Sequence, residues 1–100
     1  GKATERARTV AFPGLEGVLP GYGRQRPNDF GLGVEIRGRK APHWTGSGNS
    51  PATFGHFGQS GSFIWVDPVA GRQAVFLGAE PFGRAHAAAW PALNDQILAL

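Results

Sequence analysis

FGHFGQSGSFIWVDP, residues 54–68, is the stretch on which the fold turns. Gly55, Gly58 and Gly61 surround His56 more densely than core packing requires. Glycine lets a backbone come close to something else, because it has no Cβ to keep neighbours away. Directly behind it runs SFIWV (62–66), nearly all apolar, which predicts a strand covered on both faces. DPVAGR (67–72) then has Pro68 for the second position of a type I turn and Gly71 for a positive φ. QAVFL (73–77) returns antiparallel, so residues 62–77 predict a β-hairpin.

Working outward, DFGLGVEIRG (29–38) alternates with period two. Phe30, Leu32, Val34 and Ile36 fall on one face, and Gly31, Gly33, Glu35 and Arg37 on the other. This predicts a half-buried strand over 30–37. GRKAPHWTGSGNSPAT (38–53) reads as a long loop, and loops of that length are often functional. Within it, His43-Trp44 reads first as an aromatic anchor for the loop. Upstream, residues 13–29 are punctuated by Pro and Gly and read as a surface loop. Residues 4–11 predict a short helix with Thr4 as N-cap. At the other end, PFGRAHAAAWPALNDQILAL (81–100) is helical in composition. Trp90, Leu93, Ile97 and Leu100 form an apolar stripe that should pack across the sheet. Pro91 must either kink that helix or lie in its first turn.

These readings define an α+β domain: an antiparallel sheet of about three strands (near 30–37, 62–67 and 73–79) with a C-terminal helix packed on it. The 100 residues suit a single domain. Residues 1–29 would form a loop-rich N-terminal arm, and 30–100 the sheet and helix. Gly (16) and Pro (8) are abundant, yet 41% of residues are hydrophobic, which favours an ordered domain with long connections.

Composition narrows the function classes. With no Cys there is no disulfide framework and no thiolate metal site. His43, His56 and His86 lack metal-ligand spacing, and no metal or cofactor is expected. GxGxxG fails, because Ile36 stands where the third glycine of Gly31-Leu32-Gly33 should be. GxSxG fails at Ser62, so Ser60 is a turn hydroxyl and not a nucleophile elbow. The net charge is +3, with eight basic against four acidic residues in positions 1–40. No basic block occurs, so nucleic acid is not an expected partner. The N-terminal GKATERAR has no apolar core of a signal peptide, and no apolar run is long enough to span a membrane. The compartment stays open, with the cytoplasm slightly favoured. Arg84, Glu80 and Asp67 read as solvated charges and a turn residue.

In order, His56-Phe57-Gly58, the apolar strand, the D-P-x-x-G turn, the second strand and the terminal helix resemble the serine β-lactamase and penicillin-binding-protein superfamily. The likeness is to the region around its third conserved box, in the class C-like branch with esterases and D-aminopeptidase-like hydrolases. It covers about residues 28–100, with DFGLGVEI similar to the strand before the box. In that family a K-T-G or H-x-G triplet opens an edge strand. The resemblance implies that His56 orients substrate or tunes a catalytic Tyr. It implies that Gly58 and Phe57 complete the triplet, and that the Gln59 N–H serves the oxyanion hole. Trp44-Thr45-Gly46 has the shape of a second triplet, but no core strand follows it.

Two departures from the family pattern matter. His and Phe replace Lys and Thr, the groups that would hold a β-lactam carboxylate, so an esterase or related amide hydrolase fits better. The family's S-x-x-K is absent: Ser47, Ser50, Ser60 and Ser62 are followed three places on by Ser50, Thr53, Phe63 and Trp65. Tyr22 is not in Y-x-N, because position 24 is Arg. The chain therefore reads as the C-terminal portion of a hydrolase whose nucleophile and base lie in an N-terminal remainder. That remainder would be its partner, and alone the chain should be inactive. The alternative is a non-catalytic interaction module that uses an exposed sheet edge. Either way, exposed strands favour self-association.

Overall fold

A computed structural model describes residues 1–100. Its elements are α1 (Lys2–Ala7), β1 (Gly17–Leu19), β2 (Gly23–Gln25), β3 (Glu35–Ile36), β4 (Phe54–Phe57), β5 (Phe63–Asp67), β6 (Arg72–Phe76) and α2 (Arg84–Leu98). β1 and β2 pair by themselves, and β3-β4-β5-β6 form a four-stranded antiparallel sheet in that order.

The β5–β6 hairpin lies where the turn signals put it. Asp67 Oδ1 accepts from the N–H groups of Val69 and Ala70, both at 3.1 Å. Gly71 adopts φ +67° and donates its N–H to the Asp67 carbonyl at 2.9 Å. Asp67 thus organises the turn from its first residue. Side chains alternate across β5: Phe63 and Trp65 are buried, and Ile64 is exposed. The expectation that both faces are covered is therefore corrected to one face.

That face meets α2. The Ala-rich start of α2 favours helix, and no Ser, Thr, Asp or Asn caps it. Instead the N–H of Gly83 donates to His86 Nδ1 at 3.0 Å. Pro91 lies within the helix, neither ending it nor standing in its first turn. Trp90 packs against Phe63 with ring centroids 5.0 Å apart. Leu93 and Ile97 continue the stripe against the core, while Leu100 leaves it and is exposed. The buried amide of Asn94 joins three segments: its Oδ1 accepts from Trp65 Nε1 and its Nδ2 donates to the Trp44 carbonyl, both at 2.9 Å. Trp44 is buried beside Phe63 and Phe57, so the His43-Trp44 loop is anchored in the core as expected. Truncating a buried Trp of this kind to Ala costs roughly 3–5 kcal/mol.

Elsewhere the local signals yield to distant partners. The first helix begins at Lys2, with Thr4 inside it and Gly1 as its N-cap. Its end is set from outside, since the Ala7 carbonyl accepts the Leu32 N–H at 2.9 Å. Residues 13–29 are not simply loop, because β1 and β2 close a small hairpin there. Residues 30–37 are not one strand. Gly31 donates to the Val34 carbonyl at 2.8 Å, Gly33 takes φ +96°, and Phe30 bridges to Glu35, so the segment folds on itself. Its expected alternation is accordingly lost: Phe30 and Leu32 are 42% and 56% exposed, while the neighbours Glu35 and Ile36 are both buried. Finally, the His56-Phe57-Gly58 triplet does not open the apolar strand. It ends β4, which pairs with β3 on one side and β5 on the other.

Candidate functional site

β4 places His56 opposite Ile64, with its side chain exposed to solvent. Phe57 points the other way, and its ring lies 5.0 Å from Phe82 and 5.8 Å from Trp90. Its ring is therefore packed against the core. What Phe57 offers to a site is its backbone. Gly58 donates to the Ser62 carbonyl at 3.1 Å. Antiparallel pairing alternates, so the Phe57 N–H and C=O face the side that β3 has already left. The β3 pairing ends at Glu35–Gly55.

The turn after the triplet is clamped. Gly61 donates to the Gly58 carbonyl at 3.1 Å, and Phe82 donates to the Gln59 carbonyl at 2.8 Å. Gly61 has φ +76°, and a Cβ there would run into the Glu80 carbonyl and His86. Gly55 is equally constrained, since a Cβ would strike the Ile64 carbonyl and the Trp65 backbone. Two of the three glycines thus permit close backbone approach within the chain itself. The Gln59 N–H, in contrast, donates to no group of the chain.

Beside it opens a cavity of about 320 Å³. Residues 56–59 border one side and Val18, Leu19, Pro20 and Phe30 another, with Asn28 and Glu35 completing it. The structure thus brings all four expected site residues to one cavity. A larger cavity, about 620 Å³, lies between Tyr22, Phe82, Ala87 and Pro91 and touches no part of the triplet.

Glu35 was expected to face outward, yet it is the centre of a buried polar network. Its Oε2 accepts from Lys40 Nζ at 2.9 Å and His43 Nε2 at 2.7 Å, and its Oε1 from Trp44 Nε1 at 2.8 Å. The tautomer of His43 follows from its other nitrogen. Arg37 Nε donates to Thr45 Oγ1 at 3.1 Å, so the Thr45 hydroxyl proton turns to His43 Nδ1 at 2.7 Å. The Thr45 N–H also donates to Nδ1, at 3.2 Å. Nδ1 is therefore an acceptor and Nε2 carries the proton. Burial pushes the His43 pKa down, and the charges of Lys40 and Arg37 add to this against the raising effect of Glu35. His43 is neutral, and its contact with Glu35 is a hydrogen bond rather than an ion pair. For Glu35, burial pushes upward, but the contacts from His43, Lys40 and Trp44 together hold it below the usual carboxylate range.

Tyr22 has a buried hydroxyl without a partner. Burial first, and then the charge of Glu35, raise its pKa, so it remains a phenol and is not an available base. No group of three or more His, Asp or Glu is placed to hold a metal ion. No helix is long and apolar enough to cross a membrane.

Neither a family model nor a curated protein matches the chain. Among solved structures, the crystal structure of a β-lactamase from Mycobacterium bovis matches with a TM-score of 0.95 and 61% sequence identity. The match covers 99% of this chain and 36% of that one. The chain is β-lactamase-like in fold, as its sequence resemblance implied. It spans about a third of the length of the M. bovis protein, consistent with a C-terminal part of a protein of that kind.

Proposed function

We propose that the chain supplies the substrate-orienting and oxyanion wall of a serine β-lactamase-like hydrolase of esterase or amide-hydrolase type. The observation that carries this reading is the Gln59 N–H, free of any partner in the chain, in a residue that borders the same cavity as His56. When a nucleophile attacks an acyl carbonyl, negative charge grows on its oxygen. A fixed N–H stabilises that charge without reorganising, and losing one such donor costs roughly 100- to 1000-fold in rate. The clamped turn at 58–62 holds the donor in place. The exposed imidazole of His56 lies within the same wall and orients the substrate. The nucleophile and base are supplied from outside these 100 residues, since no S-x-x-K occurs here.

The test is hydrolysis of a 4-nitrophenyl ester by this chain and by the longer product of its gene, each with a His56→Ala control. Activity confined to the longer product and reduced by the substitution is expected. Activity in the chain alone would require a different nucleophile. Inactivity in both would favour the interaction-module reading, which draws its support from the exposed Ile64, Val75 and Leu77.

A further inference from the structure

The peptide that carries the Gln59 N–H is clamped at two points. Its own carbonyl, that of Gly58, accepts the Gly61 N–H at 3.1 Å. A peptide is planar, so fixing this carbonyl fixes the direction of the N–H at the other end. The next carbonyl, that of Gln59, accepts the Phe82 N–H at 2.8 Å. Both clamps lead to one side chain. His86 Nδ1 accepts the N–H of Gly83, the residue after Phe82, at 3.0 Å. The imidazole also stacks on the Phe82 ring, with centroids 5.8 Å apart and planes at 30°. Its Nε2 lies against Gly61, where a Cβ would stand only 2.9 Å away. Trp90 holds the imidazole from the core side, edge to face at 5.4 Å.

We infer that His86 is a positioning residue for the Gln59 N–H: from the first turn of α2 it braces Gly61 and Phe82, whose N–H groups aim that donor. The catalytic consequence rests on the proposed hydrolase reading; the brace rests on the geometry alone. His86 does not border the cavity of the triplet, so it acts through the turn and not on a substrate. Gly58 and Gly61 leave the turn little stiffness of its own, and an aimed donor needs support from a rigid element. The helix provides it through this imidazole. A donor that serves growing charge must not have to reorganise, and a misplacement of about 1 Å can cost roughly 100-fold in rate.

Three variants separate the brace from ordinary helix stability. His86→Ala removes the brace. His86→Asn keeps an acceptor in the place of Nδ1. The double variant Gly83→Ser/His86→Ala gives α2 a side-chain N-cap, since Gly83 is extended at φ −159° with space for a Cβ. It repairs the helix without restoring the brace. Amide hydrogen exchange in the 100-residue chain reads the clamps directly. In His86→Ala the Gly61 and Phe82 amides should exchange about tenfold faster relative to those of the β5–β6 hairpin. His86→Asn should restore the protection of Phe82, whereas the double variant should restore neither amide. In the longer gene product, His86→Ala should lower kcat for a 4-nitrophenyl ester roughly tenfold to a hundredfold at unchanged KM, because the donor acts in the transition state. Asparagine should recover kcat severalfold over alanine, and the double variant should not. Unchanged protection in His86→Ala, asparagine no better than alanine, clamps or kcat restored in the double variant, or a raised KM at constant kcat would overturn the inference. If the longer product hydrolyses no ester while the exchange pattern is as expected, the hydrolase reading falls and the brace stands. If hydrolysis proceeds and His86→Ala leaves kcat unchanged, this inference alone falls.

Discussion

Single residues here do work that their sequence neighbours do not announce. Asp67 accepts from the Ser50 hydroxyl at 2.6 Å and the Ser50 N–H at 2.8 Å, besides organising its own turn. Burial alone would raise its pKa, but those bonds outweigh it and bring the carboxyl to about 2 from an ordinary 3.8. A folded pKa below the unfolded one means that the unfolded chain binds the proton first as pH falls. The stabilising contribution is whole above about pH 4 and disappears as pH drops toward 2, and it amounts to on the order of 2 kcal/mol. Urea denaturation at a series of pH values should show this loss, and Asp67→Asn should lack that part of the slope. His43 makes a parallel case at higher pH. Its folded pKa is depressed, so its contribution is present above the ordinary value of 6.5 and is lost as pH falls through the folded value. Long-range ¹⁵N–¹H spectra should find its proton on Nε2 at neutral pH, with no titration at 6.5. A charged imidazole at neutral pH would contradict the Thr45–His43–Glu35 chain of bonds.

At the scale of elements, β4 decides whether the site exists. It is four residues long, paired with β5 throughout and with β3 at Phe54 and Gly55, so its backbone at Gly55 has no room to move. Gly55→Ala would push a Cβ into the Ile64 carbonyl and the Trp65 backbone, neither of which is the end of a flexible side chain. A loss of about 2–3 kcal/mol in thermal or urea unfolding is expected, together with a displaced Gln59 amide resonance. An unchanged variant would mean that β4 is looser than its pairing indicates. The β5–β6 hairpin was legible in sequence because its signals are local: an apolar run, Pro68, Gly71 and a second apolar run. The cavity residues His56–Gln59 were legible through the pattern of the triplet. β4 was not, because FGHF holds a glycine in a short run and gains its pairing from segments far along the chain. The faces of 30–37 were misread because period-two alternation is shared by a strand and by a tight hairpin such as that closed by Gly31 and Val34. Glu35 was placed outside for the same reason. Its partners Lys40, His43 and Trp44 come from an irregular loop, and no periodicity reveals them.

At the scale of the whole molecule, the sheet is covered unequally. α2 and the aromatic core occupy one face, whereas on the other Ile64 and Val75 face each other across β5 and β6 at 50% and 62% exposure. Leu77, just beyond β6, is 85% exposed. β6 is also the last strand of its sheet, so its outer edge presents unpaired backbone groups. An open edge beside an apolar face is a template for another chain. The protein of M. bovis that this chain matches is nearly three times as long, with the chain spanning 36% of it. If further parts of a longer protein cover this face, the exposure belongs to the 100 residues alone. Sedimentation velocity should then show this chain associating as concentration rises through the range of about 10–500 μM, where weak edge-to-edge contacts form. Val75→Lys, which puts a charge on the face at the edge strand, should keep it monomeric without unfolding it. The longer gene product should stay monomeric with Val75 intact. A chain that remains monomeric throughout that range would show that the apolar face and open edge are too small to drive pairing. Association that survives the lysine would place the contact elsewhere, with the exposed Phe12 and Leu15 of the N-terminal arm as the next surface to change.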